Sequence, residues 1–280
     1  MRPLEAAVSA GPQDDLLRQV GVLARRAGEA ILAVYREDFE VELKDDRSPL
    51  TAADLAAQAV IAEGLAAFDP KLPQVSEESS QLPWQQRRAW SRYWLVDPLD
   101  GTREFVKHNG EFTVNIALIA DHAPVLGVVL APVSGDLFAA ARGHGAWWQA
   151  GAGADWERIA CRELATPARA AGSRSHGGAQ EDVLRRLLGD GYELQPLGSS
   201  LKFCLIARGA ADVYLRRGPT SEWDTAAAQC VLEEAGGRVL DLAGVPLRYN
   251  RGESLLNPEF IAVGDGGLDW PRKLREAGLP

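Results

Sequence analysis

The stretch YWLVDPLDGTREF, residues 93–105, sends an apolar run straight into two aspartates, Asp97 and Asp100, held apart by Pro98 and Leu99. Trp94, Leu95 and Val96 read as the end of a strand in a core. Burying a carboxylate is costly unless it is paired, hydrogen-bonded or bound to a cation. The fold must therefore end a core strand where carboxylates have a reason to sit. An Asp-rich turn, with Asp100 capping a helix that starts near Thr102, would explain the same letters without chemistry. The rest of the chain decides between the two.

A chain of 280 residues can form one large domain or two small ones with a filled core. No apolar run approaches the roughly 18 residues of a membrane span, and the first residues, MRPLEAAVSAGPQDD, contain no apolar core of signal-peptide length. A cytoplasmic protein is expected. Cys161, Cys204 and Cys230 are isolated, without CxxC spacing, and read as reduced apolar side chains. The net charge of −9, without a basic block, argues against a nucleic-acid polymer as partner. It leaves room for a small anionic substrate if divalent cations reverse the local field.

Residues 1–13 read as a tail. From Asp14 to Glu37, Leu16, Val20, Leu23, Ala27, Ile31 and Val34 step by three or four and predict an amphipathic helix. A loop with Lys44 ends at Ser48-Pro49, and Thr51 is placed to cap a second helix with Asp54 in its first turn. QVSEESS reads as a short strand ending in Glu77 and Glu78, and residues 84–92 as a surface excursion. FTVNIALIA and PVLGVVLAP form a hairpin, and GDLFAAARGHGAWW another strand pair. Glycine-rich residues 151–154 suggest a seam between subdomains 14–150 and 151–280. Beyond it come a strand near 168–171, helices near 180–188 and over SSLKFCLIARG, the strand DVYLRR, the helix SEWDTAAAQCVLEEAGG, and strands RVLDLAG and FIAVG. Long helices on mixed strands predict an α/β (α+β layered) architecture.

Asp54, Glu77, Asp97, Asp100 and Asp224 lie at element ends rather than along charged helix faces. Oxygen donors without His or Cys favour hard cations such as Mg²⁺, Mn²⁺ or Ca²⁺. Pro98 fixes one torsion, so Asp97 and Asp100 could converge with the Leu99 carbonyl turned inward. Gly101 and Thr102 would open a helix whose free N–H groups suit phosphate. A metal pair can clamp the attacking and leaving oxygens of phosphoryl hydrolysis.

DPLDGTREF (97–105) resembles the DPxDGTxxF signature of the inositol monophosphatase superfamily, and EWDTAAAQCVLEEAGG (222–237) resembles its second, WDxAA signature. SEES (76–79) and SPLTAADLAAQ (48–58) fall in the matching order. The resemblance implies an αβαβα sandwich of two subdomains with the site between them. GSRSH (172–176), LGSSLKFCLIARG (197–209), YLRRGPTSEWDTAA (214–227) and ESLLNPEF (253–260) are similar to the CysQ-type 3′(2′),5′-bisphosphate nucleotidases. That likeness implies removal of the 3′-phosphate from adenosine 3′,5′-bisphosphate, a by-product of sulfate assimilation, to give AMP and phosphate.

By the same resemblance, Glu77, Asp97 and the Leu99 carbonyl hold one Mg²⁺, and Asp97, Asp100 and Asp224 hold a second. A third, weaker ion would lean on Glu77. Asp54 would draw a proton from the attacking water through Thr102, and Gly101 with Thr102 would cradle the phosphate. Ser173, His176, Gly198 and Lys202 would contact the nucleoside and its 5′-phosphate, Lys202 as a mobile point charge. Inhibition by Li⁺ is implied as well. Glu78 and Lys44 read as supporting or solvated charges, and His108, His122 and His144 as free of chemistry. An inositol monophosphatase or fructose 1,6-bisphosphatase would use the same metals, and a non-catalytic nucleotide sensor could keep the fold. Every catalytic position that the likeness places is occupied, which favours an enzyme.

Overall fold

The computed structural model describes residues 11–36, 42–43, 49–50, 52–79, 82–172 and 179–279. In chain order the first half contains α1 (Asp15–Tyr35), β1 (Glu42–Leu43), β2 (Pro49–Leu50), α2 (Ala52–Phe68), β3 (Gln74–Ser76), α3 (Trp84–Arg87), β4 (Arg92–Asp100), α4 (Thr102–Val106), β5 (Thr113–Ala120), β6 (Ala123–Leu130), β7 (Leu137–Ala141), β8 (Gly145–Gln149) and β9 (Trp156–Ile159). The second contains β10 (Arg169–Gly172), α5 (Ala179–Leu188), β11 (Glu193–Pro196), α6 (Leu201–Ala207), β12 (Val213–Arg216), α7 (Glu222–Glu234), β13 (Arg238–Asp241), β14 (Phe260–Val263) and α8 (Trp270–Glu276).

Strands β3 to β9 form a seven-stranded sheet in sequence order, and β11-β10-β12-β14-β13 a five-stranded one. The first sheet thus runs past residue 150, and the chain changes sheet between Ile159 and Arg169. Alternation along the strands sorts the core. Trp94 and Val96 of β4 pack with Ile116 and Leu118 of β5 against Leu17, Val20, Ala24, Ala27 and Ile31 of α1 and Ala57 and Ile61 of α2. Tyr93, Leu95, Ala117 and Ile119 face the other way, onto Phe203 and Cys204 of α6 and Ala226, Ala227 and Cys230 of α7. The five-stranded sheet closes over α6 and α7 with Tyr214, Val239, Phe260 and Ala262. Its outer face, Val213, Leu215, Ile261 and Val263, is covered by Val183 and Leu187 of α5 and Trp270 and Leu274 of α8. The layers are αβαβα, as the resemblance implies.

Helix α7 belongs to the second half of the chain yet lies on the first sheet. Gly127 of β6 permits this: a Cβ there would stand 2.2 Å from the Ala227 carbonyl oxygen and 2.7 Å from Cys230 Cβ. The same close approach sets the depth at which the N-terminus of α7, with Asp224, meets the end of β4.

Residues 84–92 are not a simple surface excursion. Arg87 is buried. Its Nη1 donates to Asn250 Oδ1 (2.7 Å) and the Gly252 carbonyl (3.3 Å), its Nε to Leu82 O (3.0 Å), and its Nη2 to Glu253 O. Four bonds satisfy the guanidinium in the interior. Among the described residues, no helix is long and apolar enough to cross a membrane.

Candidate active site

Asp97 and Asp100 are three residues apart, so in a regular strand they would point to opposite faces. The pairing with β5 shows why they do not. Asp97 is opposite Asn115 and Asp100 opposite Thr113, with a bulge between them. One extra residue on β4 restores the phase and turns both carboxylates toward the α6–α7 layer. Pro98, which has no N–H to give to a ladder, sits inside the bulge. Leu99 points its side chain into the opposite core. Its amide donates to Asp97 Oδ1 (3.1 Å), and its carbonyl accepts from Thr102 Oγ1 (3.5 Å). Asp100 does not cap α4; Gly101 holds that position.

Strand β3 runs parallel to β4, and the Glu77 amide continues the ladder by donating to Val96 O at 3.3 Å. This brings Glu77 beside Asp97. Asp224 arrives from α7, where it sits three residues after Ser221 and accepts from the Ser221 amide at 2.9 Å in a capping box. Glu77, Asp97, Leu99, Asp100, Gly101, Thr102, Gly198, Lys202 and Asp224 all line one cleft of about 490 Å³ between the sheets. Asp54 is buried in the first turn of α2 and lies near enough to Asp97 to act on its charge. Ser173 and His176, like Lys44 and Thr51, lie outside the described residues.

The electrostatics are those of crowded acid. Burial, then Glu77, Asp100, Asp224 and Asp54, hold the Asp97 carboxyl well above the usual carboxylate range. Burial pushes Asp100 up to about 6, although Lys202 and the Ser200 amide pull it down. Asp224 is raised by burial and by Asp100. Among the described residues, no three acidic, imidazole or thiol side chains already close into a metal cage. The fit to a metal rests on the donors: oxygen only, buried, and mutually repelling until a cation stands among them. Such a set fits a hard divalent ion.

Two groups next to this ring were not singled out in the sequence. Ser200 N donates to Asp100 Oδ2 at 2.6 Å, Ser200 Oγ donates to Asn115 Oδ1 at 2.7 Å and shares a 2.8 Å bond with Thr113 Oγ1, and Asn115 Nδ2 donates to Thr113 Oγ1 at 3.2 Å. Thr113, Asn115 and Ser200 are buried, so this network fixes Asp100 from behind. Glu222, also buried, accepts the Asn250 amide on both oxygens (2.8 and 2.9 Å). Burial pushes its carboxyl up to about 7. Through Asn250 and Arg87 it braces the start of α7. Ser200 and Glu222 fall inside stretches that carry the family likeness, but neither was given a role, and Asn115 and Thr113 look like ordinary strand residues.

Lys202 differs from expectation. It is buried rather than mobile, and its ammonium donates to Ser199 O (2.6 Å) and Leu197 O (3.2 Å). Burial lowers its pKa to about 8, against the pull of Asp100. Gly198 sits where any side chain would collide: a Cβ would lie 2.6 Å from Glu111 O and 2.7 Å from Glu104 Cγ.

A layered sandwich with a carboxylate-ringed cleft at its centre is the architecture of a phosphatase family, and the match is direct. The chain belongs to the inositol monophosphatase family, which it matches over residues 13–266. It is similar to the 3′(2′),5′-bisphosphate nucleotidase CysQ of Escherichia coli strain K12, at 49% identity over 247 residues, covering 88% of this chain and 98% of the relative. The protein of that name from Aggregatibacter actinomycetemcomitans is 39% identical over 261 residues, covering 92% and 96%. Among solved structures, CysQ from Bacteroides thetaiotaomicron superposes with a TM-score of 0.76 at 40% identity, over 88% of this chain and 97% of that one. The IMPase of Thermotoga maritima gives 0.75 at 26% identity, over 95% and 97%.

Proposed function

We propose that this protein is a Mg²⁺-dependent 3′(2′),5′-bisphosphate nucleotidase that converts adenosine 3′,5′-bisphosphate to AMP and phosphate. The observation that carries the reading is the bulge in β4, which aims Asp97 and Asp100 at Asp224 and Glu77 across one cleft. The 49% identity to a relative bearing that activity in its name supports the choice of substrate.

In this reading Glu77, Asp97 and the Leu99 carbonyl hold one Mg²⁺, and Asp97, Asp100 and Asp224 hold another. Bound metal lowers the pKa of water and offsets charge growing on the phosphoryl oxygens. The chain's own groups do the rest. Amides at Gly101 and Thr102 orient the phosphate, and Thr102 Oγ1 passes the proton of the attacking water toward Asp54. The new O–P bond forms as the bond from phosphorus to the 3′-oxygen breaks, and that oxygen leaves with a proton as the ribose hydroxyl. Ser173, His176, Gly198 and Lys202 are assigned to the nucleoside and its 5′-phosphate by likeness to the nucleotidases, and Gly198 and Lys202 line the cleft. Three free cysteines among the described residues fit a reducing cytoplasm.

Phosphate release in Mg²⁺ from adenosine 3′,5′-bisphosphate, AMP, inositol 1-phosphate and fructose 1,6-bisphosphate tests this, with Asp224→Asn as the blank and Li⁺ as the expected inhibitor. A dominant kcat/KM on the bisphosphate nucleotide, with AMP inert, is the expected result. A preference for inositol or fructose phosphates would replace the substrate assignment.

A further inference from the structure

The stretch ESLLNPEF, residues 253–260, leads into β14 and passes the N-terminus of α7 on its way. The two segments meet in a short antiparallel ladder. The Glu222 amide donates to Leu255 O (2.7 Å), Ser221 bridges Leu256, and the Asn257 amide donates to Thr220 O (2.8 Å). Pro258 follows, and β14 begins at Phe260, so one end of this strip is tied to the five-stranded sheet. Arg87 pins the other end through Asn250 Oδ1, Gly252 O and Glu253 O.

The Asn257 side chain adds what a backbone ladder cannot. Its Nδ2 donates to Ser221 O (2.7 Å), Thr225 Oγ1 (3.1 Å) and Thr220 Oγ1 (3.2 Å). A carbonyl among the acceptors fixes the orientation of the carboxamide, because only its NH₂ end can face one. The three oxygens lie on both sides of a corner: Thr220 and Ser221 precede α7, and Thr225 is in its first turn. Ser221 in turn orients Asp224. Its amide donates to Asp224 Oδ2 (2.9 Å), and its carbonyl accepts from the Asp224 amide (3.2 Å) as well as from Asn257. One oxygen of Asp224 is held in this way while the charge of Asp100 repels the group. An asparagine before a proline commonly just ends a loop, for which one hydrogen bond suffices. Here three bonds converge on the corner, and Ser221 alone separates Asn257 from a carboxylate of the ring. Thr220, Asp224 and Thr225 line the cleft; Asn257 stands behind them.

We infer that Asn257 is a positioning residue for Asp224: it holds the Ser221 corner so that the carboxylate is already aimed when a cation arrives. This role rests on the metal assignment of Asp224 above. Groups that orient a ligand from behind are commonly worth about 10–100-fold in metal affinity or activity.

The test is Mg²⁺ binding by calorimetry on the full-length protein without substrate, for wild type, Asn257→Ala, Asn257→Leu and Arg162→Gln, with Asp224→Asn as the blank. Asn257→Leu keeps the volume of the side chain and lacks its donor, and it decides the matter where the alanine variant is unfolded. Arg162→Gln breaks the ion pair with buried Asp212 (2.7 Å), outside the cleft, and reports what destabilisation alone does. Melting in EDTA sets a temperature at which each variant is folded. Both Asn257 variants are expected to bind Mg²⁺ about 10–100-fold more weakly than wild type. Their kcat on adenosine 3′,5′-bisphosphate should need correspondingly more Mg²⁺ to reach its plateau, with KM for the nucleotide little changed there. Arg162→Gln should lower Tm and leave the affinity where it was. A folded Asn257→Leu protein that binds Mg²⁺ as tightly as wild type overturns the positioning role alone. Wild-type affinity in Asp224→Asn overturns the metal assignment and the positioning role with it.

Discussion

The amide of Ser200 lies 2.6 Å from Asp100 Oδ2, so a residue of the second half of the chain holds a carboxylate of the first in place. Asn115 and Thr113 hold Ser200 in turn. Asn115→Leu would leave buried hydroxyls short of partners, at about 1–3 kcal/mol. Denaturant unfolding should show that loss, and kcat should fall more than KM changes, because Asp100 loses its orientation. An unaltered kcat in a destabilised variant would reduce the network to a structural role.

Asp97→Asn and Asp224→Asn are each expected to bring turnover close to the blank and to erase Mg²⁺ binding heat in calorimetry. In EDTA, Asp97→Asn should melt no lower than wild type, since it removes one of several repelling buried charges. Full activity in either variant would dismantle the metal assignment.

The pH dependence has a defined sign. Asp97, Asp100 and Asp224 all have folded-state pKa values above their ordinary ones, Asp100 at about 6. A carboxyl raised on folding imposes no penalty below its unfolded pKa and its full penalty above the folded one. Metal-free protein should therefore melt higher at pH 5 than at pH 7.5, and added Mg²⁺ should raise Tm more at pH 7.5. Equal Mg²⁺ effects at both values would show that the carboxylates do not share a cation.

In the proposed mechanism, Thr102→Ala would remove the hydroxyl that links the attacking water to Asp54. Proton-transfer groups contribute about 10²–10⁴ in rate, so kcat should drop at least about 100-fold with Mg²⁺ affinity retained. Single-turnover kinetics would confirm that the chemical step is the one slowed.

Gly127→Ala would push a methyl group into the Ala227 carbonyl, 2.2 Å away. Overpacking of this kind costs about 1–3 kcal/mol. The shift of α7 should also weaken Mg²⁺ binding, because Asp224 rides on that helix; loss of stability with unchanged metal affinity would refute the coupling.

Much of this was legible in the letters. Periodicity gave α1 nearly to its ends, Ser221 and Gly236-Gly237 bracketed α7, and the strand leading into DPLDGT was visible because three large apolar residues run straight into two aspartates. Other parts left no local trace. β11 is ELQP, mostly exposed at a sheet edge, and has no apolar alternation to read. α8 is capped by Asp269, with Pro271 in its first turn, and at seven residues is too short for a period to register. Arg87 looks like any surface arginine until Asn250, distant in sequence, supplies its acceptor. The bulge matters most: Pro98 suggested that Asp97 and Asp100 could converge, but the register shift against β5 that brings them together leaves no mark in the letters.

The chain passes from the seven-stranded to the five-stranded sheet through residues 160–168. A break there would yield two fragments, each with a whole sheet. The second would carry α7 with Ala226, Ala227, Cys230 and Val231 stripped of the strands that cover them. Neither fragment would own a complete ligand set, since Asp224 parts company with Glu77, Asp97 and Asp100. Reassociation would have to seat α7 over Gly127 before phosphate could be released. Hydrolysis by the mixed halves would thus be a split reporter of docking, switched on by the same interface that hides the helix.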